Sequence, residues 1–244
     1  MRWLVRSIVA TAVLHLALPV VTAAADNAAP PEIKINPQSA AAATSAGISA
    51  ETLDAVAKAI QAYGVAWDRG DEKAFRDTIT GTPGIVDLAA VSMHAEQVQN
   101  AANQLAREKL SGVPAQAGTT QPAKRDPYTR TDYHRRVLAE PITIKGDNQH
   151  VALGRPSFKR PEYLVEKTPQ GWRVLLSDEE FRGVPVEKMV ELFNKQMKTY
   201  DQLREQIAAG TLKTWPEYAQ ETAKLRKEFR DALKAAAPTS APAK

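Results

Sequence analysis

The side chains best equipped for chemistry crowd into one stretch, Lys124-Arg125-Asp126-Pro127-Tyr128-Thr129-Arg130-Thr131-Asp132-Tyr133-His134-Arg135-Arg136. If Thr131 to Ala139 forms a strand, Asp132 and His134 share a face, because strand side chains alternate with a period of two. A carboxylate beside an imidazole can orient it for proton transfer, and Tyr128 or Tyr133 can then donate a hydrogen bond to a developing enolate. That is isomerase or cyclase chemistry. The competing explanation is an exposed strand edge whose solvated charges block aggregation. Arg130, Arg135 and Arg136, joined by Arg155, Lys159 and Arg160, can also hold an anionic ligand, a task suited to guanidinium forks. Acidic side chains of the protein itself would occupy them equally well. Trp67 and Trp172 are the aromatic candidates for ligand contact. The chain has four histidines, and no two stand at helical metal spacing, so neither a zinc site nor any other metal is expected. His94 reads as a partly exposed helix residue. Phosphate-cradling glycine loops and nucleophile elbows are missing from the sequence, and no cofactor is expected.

The elements that must position these residues change period along the chain. Ser49 can cap a helix carrying Leu53, Val56, Ala57, Ile60, Tyr63 and Trp67 until Gly70 stops it. Asp71 can cap a short helix running through Phe75 and Ile79 to Gly81. A third helix from about Ile85 to Leu110 places Leu88, Val91, Ala95, Val98, Ala102 and Leu105 on one stripe. Ser111 to Pro127 is rich in Gly and Pro and reads as a long loop, a kind that is usually functional or mobile. Beyond it the period becomes extended. Ile142 and Ile144 flank Thr143, Gly146-Asp147-Asn148 is turn chemistry, and Gln149 to Leu153 completes a hairpin. Tyr163 to Lys167 and Trp172 to Ser177 form a second pair around Thr168-Pro169-Gln170-Gly171. A helix bearing Val186, Met189, Val190, Phe193, Met197, Tyr200, Leu203 and Ile207 ends at Gly210. Thr214-Trp215-Pro216-Glu217 then opens another with a capping box. Helices before an antiparallel sheet predict an α+β domain, with helices packed on one sheet face.

Both chain ends carry their own signals. Arg2 and Arg6 precede an apolar run from Ser7 to Val21, and Ala23-Ala24-Ala25 offers small residues for cleavage before Asp26. The run is shorter than the roughly 20 residues of a spanning helix and is broken by His15 and Pro19. We therefore expect a cleaved signal peptide at 1–25, a secreted or periplasmic protein, and no stable membrane anchor. Without Arg2 and Arg6 the chain holds 30 basic and 28 acidic residues. So small a surplus makes no strong field for phosphate, and no nucleic-acid partner is expected. The chain has no cysteine, which excludes both disulfides and lipid attachment at a cleavage-site Cys. Residues 26–47, rich in Ala, Pro and Ser, read as a disordered linker, and 237–244 as a disordered tail. Between them lie a domain at 48–182, with its loop at 111–127, and a helical hairpin at 183–236.

Two groups of motifs resemble a known family. Ala59-Ile60-Gln61-Ala62-Tyr63-Gly64-Val65-Ala66-Trp67-Asp68-Arg69-Gly70-Asp71-Glu72-Lys73-Ala74-Phe75 is similar to the opening of nuclear transport factor 2-like (SnoaL-like, cystatin-like) proteins, where a long helix ends at a Gly-Asp step before a short one. Ile142 to Leu153 resembles that family's central hairpin, and Gln170-Gly171-Trp172-Arg173-Val174 its closing strand. The resemblance covers about residues 50 to 180. It implies a cone, with a bent antiparallel sheet wrapped around helices and an apolar pocket at the open end. It does not choose a function, since the family includes cyclases, isomerases, transport receptors and non-catalytic modules. No catalytic Asp or His of the family maps onto this chain, because a long helix through Ala95 and Ala102 stands where catalytic members place an early acidic strand.

Three functions remain as expectations. The first is a secreted non-catalytic module that binds an apolar or amphipathic small ligand or a protein partner, with a homodimer among the possible assemblies. The second is an isomerase- or cyclase-like enzyme using Asp132 with His134. The third is a structural component of an envelope or surface assembly.

Overall fold

The computed structural model describes residues 32–112, 129–158, 160–176 and 184–236. The expected signal peptide, most of the 111–127 loop, Tyr128 and the 237–244 tail lie outside them. The described chain is α+β, with seven helices and one five-stranded mixed sheet. The helices are α1 (Pro37–Ser45), α2 (Ala50–Arg69), α3 (Glu72–Thr78), α4 (Pro83–Lys109), α5 (Arg130–Ala139), α6 (Val186–Ala208) and α7 (Trp215–Ala236). The strands are β1 (Ile79–Thr80), β2 (Thr143–Gly146), β3 (His150–Gly154), β4 (Tyr163–Thr168) and β5 (Gly171–Leu175). The described residues divide into two compact units, one built within 32–86 and 129–176, the other within 87–112 and 184–236.

In the sheet unit the strand order is β1-β5-β4-β3-β2. Every pairing is antiparallel except β1 with β5, which is parallel. Val151 lies opposite Val165 and Val165 opposite Val174, so the three stack across one sheet face. All three are nearly inaccessible, as are Val56 and Ile60 of α2 and Phe75 of α3. Helix α2 packs on β5, α3 and α5. Its ends follow their sequence signals: Ser49 Oγ accepts from Thr52 N, and Gly70 closes the helix at φ +65°, a conformation that costs glycine little. Asp71 then caps α3 through Ala74 N. The helix expected to reach Gly81 stops at Thr78, and Ile79 and Thr80 leave it to pair with β5.

Two segments differ from the sequence expectation. Residues 32–47, expected as a disordered linker, hold Ile33 at 2% exposure and form α1. Asn36 caps that helix with Pro37 at its first position, and Asn36 N donates to Leu138 O. Thr131 to Ala139, expected as a strand, lies in the helix α5. Thr129 caps it by accepting from Asp132 N, and Asp132 returns the bond by accepting from Thr129 Oγ1, so the first turn is closed reciprocally.

The second unit buries Ala102 and Ala106 of α4 and Leu110 just beyond it with Tyr200, Leu203 and Ile207 of α6 and Tyr218 and Leu225 of α7. A companion cluster joins Leu88 and Ala95 to Met189, Leu192, Phe193 and Leu233. The appended hairpin is thus a three-helix unit, with most of α4 in it. Glu217 accepts from Lys213 N and Thr214 N, the predicted capping box, and those bonds hold its carboxyl below the usual range.

The β2–β3 turn is tied to the start of α2. Asn148 Oδ1 accepts from Ser49 N and from Thr52 Oγ1, both at 2.9 Å, while its amide donates to Gly47 O. Replacing Asn148 with Ala removes all three bonds and is expected to lower unfolding stability by about 1 kcal/mol; a urea titration that leaves the midpoint unmoved would show that the tie contributes nothing.

Candidate functional site

The candidate residues fall on and around α5, and the helix separates the two that were expected to cooperate. Positions two apart on a helix point about 200° away from each other, so Asp132 and His134 do not form the dyad. Asp132 is engaged at the helix surface by Thr129 and by an ion pair with Arg135. His134 points inward at 2% exposure. Arg135 and Arg136 are exposed on α5, Arg155 is paired with Glu162, and Lys159 of the expected anion site lies outside the described residues.

His134 sits in a shell of rings. Its Nδ1 lies 2.6 Å from Tyr163 Oη. Tyr63, Tyr133 and Tyr163 place their ring centroids 5.4, 5.7 and 5.3 Å from the imidazole. Tyr63 also meets Trp67 and Phe75, extending the cluster along α2 and α3. Nε2 of His134 is buried and has no hydrogen-bond partner among the described residues. Burial, followed by the nearby Arg130 charge, pushes the imidazole pKa down to about 3. His134 is therefore neutral at neutral pH. Burial likewise holds the Tyr163 hydroxyl well above its ordinary value, so that side chain is neutral too.

What brings α5 so close is Gly64. A Cβ there would stand 2.8 Å from His134 Cδ2 and 3.1 Å from the Thr131 Cα. Glycine inside a helix costs roughly 1 kcal/mol relative to alanine, and the close approach accounts for it. One turn further along α2, Asp68 receives the N-terminus of α5. It accepts from Arg130 N at 2.7 Å, Thr131 N at 2.9 Å and Thr131 Oγ1 at 2.6 Å. Backbone N–H groups of a first helical turn have no partner within the helix, and a carboxylate there is favourable. Burial nonetheless lifts the Asp68 carboxyl above its ordinary value, against the pull of these bonds.

A second polar group lies at the β3–β4 connection. Arg155 and Glu162 make a two-pronged ion pair of 3.1 and 2.7 Å, Tyr133 Oη donates to Glu162 Oε1, and the Arg155 guanidinium lies 4.6 Å from the Phe158 ring centre. Gly154 lets the connection fold this tightly, since a Cβ there would meet Pro161 Cα at 2.9 Å. The Arg130 guanidinium stacks 4.0 Å over Trp67. Trp67 is buried, and Trp172 is half-buried on β5. Among the described residues, no group of three or more His, Asp or Glu could hold a metal ion, and no helix is long and apolar enough to cross a membrane.

Three residues that matter here were not singled out from sequence: Gly64, Asp68 and Tyr163. A glycine inside an otherwise regular amphipathic helix was the available sign of a close approach. The other two are linked to α5 by long-range contacts that spacing does not encode. No family model, curated protein or solved structure matches the chain.

Two substitutions check the arrangement. Gly64→Ala gains helix propensity, yet overpacking against the Thr131 backbone outweighs it, and a net loss of about 1–2 kcal/mol is expected in chemical denaturation; a neutral or stabilised variant would contradict the close approach. Asp68→Ala strips the start of α5 of its acceptor and is expected to cost about 2 kcal/mol, with Asp68→Asn losing less. Equal losses for the two would mean that the carboxamide cannot replace the carboxylate as an acceptor.

Proposed function

We propose that the protein is a secreted or periplasmic non-catalytic binding module: a nuclear transport factor 2-like cone with an appended C-terminal helical unit, taking an apolar or amphipathic small ligand or a protein partner. Four sequence-to-structure agreements favour the cone. The Gly70-Asp71 step ends one helix and caps the next, 143–154 form a hairpin, 171–175 form the last strand, and α2 packs against that strand. The charged start, apolar run and small residues before Asp26 support export.

The observation that carries the non-catalytic choice is the placement of the dyad. A general base needs access to the proton it removes and a partner to orient it. His134 has a tyrosine on one nitrogen, a glycine-backed helix against its ring edge, and no carboxylate partner among the described residues. Asp132 is turned outward and held by Arg135. The rings of Tyr63, Tyr133 and Tyr163 crowd around the imidazole, an arrangement that serves packing better than turnover.

Two measurements test the proposal. Expressed in a bacterium with a periplasm, the chain is expected in the periplasmic fraction with the mass of a polypeptide beginning at Asp26; an intact chain retained in the cytoplasm would contradict export. With enolisable cyclic ketones in deuterated buffer, proton exchange is expected to stay at the buffer rate. Acceleration that disappears in His134→Gln would instead establish the isomerase alternative.

A further inference from the structure

We propose that α5 is an acid-released latch, in which protonation of His134 detaches the helix from α2 and β4 while the sheet remains folded. The inference goes beyond the binding proposal and does not depend on it.

The geometry gives the imidazolium nowhere to be accommodated. From α2, Tyr63 faces the ring and Gly64 backs it. From β4, Tyr163 contributes a hydroxyl and no charge. From α5 itself come Tyr133 and the cation Arg130. The neighbouring carboxylates are already committed: Glu162 to Arg155 and Tyr133, Asp68 to the first turn of α5, Asp132 to Thr129 and Arg135. Among the described residues, a charge on His134 is therefore buried without a counter-ion, a state that proteins avoid by opening.

Opening can be local because α5 is held separately from the rest. It has ten residues, too few to persist as a helix in water without packing. Its anchors are Asp68 and the Arg130–Trp67 stack at the start, His134 and the Tyr133–Glu162 bond in the middle, and Val137, Leu138 and the Asn36 bonds at the end. The sheet ladder β2–β5 and the Asn148 tie between hairpin and α2 include none of these groups. Detaching α5 would uncover Tyr63 and Tyr163.

The sign follows from linkage. The His134 pKa is depressed from 6.5 in the unfolded chain to about 3 in the folded one, so its contribution is complete above pH 6.5 and drains as pH falls toward 3. Asp68 works the opposite way: its raised carboxyl pKa favours the folded state as pH falls toward the ordinary value of 3.8, inside the histidine window, and so offsets part of the histidine's loss. Between pH 7 and pH 5 His134 alone should raise the open fraction of α5 about 25-fold, and Asp68 reduces that rise.

Amide hydrogen exchange of the full chain, corrected for intrinsic rates, reads this directly. At pH 5 a peptide covering 130–139 is expected to have lost about 10- to 25-fold of its pH 7 protection and to exchange at least about tenfold faster than peptides of β3 and β4. His134→Phe and His134→Gln, either of which suffices if the other fails to fold, should remove the pH dependence. Unchanged protection of 130–139 in the native chain, equal exchange of α5 and the sheet, or pH dependence that persists without the imidazole would each overturn the latch.

Discussion

The sheet unit depends on how closely two helices meet at Gly64. With only a hydrogen at that position, α5 can lay its backbone against α2, and His134 can reach past it to Tyr163. Every larger side chain would hold the helices apart and leave the imidazole without its hydroxyl partner. The same approach delivers the first turn of α5 to Asp68, so packing and capping are satisfied in one geometry.

From that constraint follows the character of the site. A histidine driven into a shell of phenols, with a cation nearby and no carboxylate partner among the described residues, is neutral over the ordinary pH range. Such a residue serves as a spacer with one specific hydrogen bond. The carboxylate expected to activate it faces the other way, completing a cap. Asp132 and His134 thus serve to hold one short helix in place.

Much of the scaffold could be read from local signals because those signals are themselves local interactions. Ser49, Gly70, Asp71 and the Thr214–Glu217 box act within a turn of where they stand, and each marks the boundary it was expected to mark. The 130–139 segment was ambiguous for a physical reason. Buried Thr131, His134, Val137 and Leu138 fit helical spacing, while the polar and apolar order also permits a two-residue alternation. What decides the matter is the reciprocal Thr129–Asp132 cap and a carboxylate 62 residues earlier, and only the cap is visible locally. Helix α1 had a readable sign in Asn36-Pro37, a capping residue followed by a proline suited to the first turn, but its alanine-rich composition suggested disorder. The assignment of most of α4 to the second unit depends on which stripe of the helix finds a partner, and periodicity does not name partners.

The central claim is that His134 is sealed and uncharged. The imidazole nitrogen shifts, followed by NMR from pH 8 to pH 4.5 in the native protein, test it most directly. A single neutral ring form with no inflection near pH 6.5 is the predicted result, and a normal titration with a midpoint between 6 and 7 would contradict both the burial and what has been built on it.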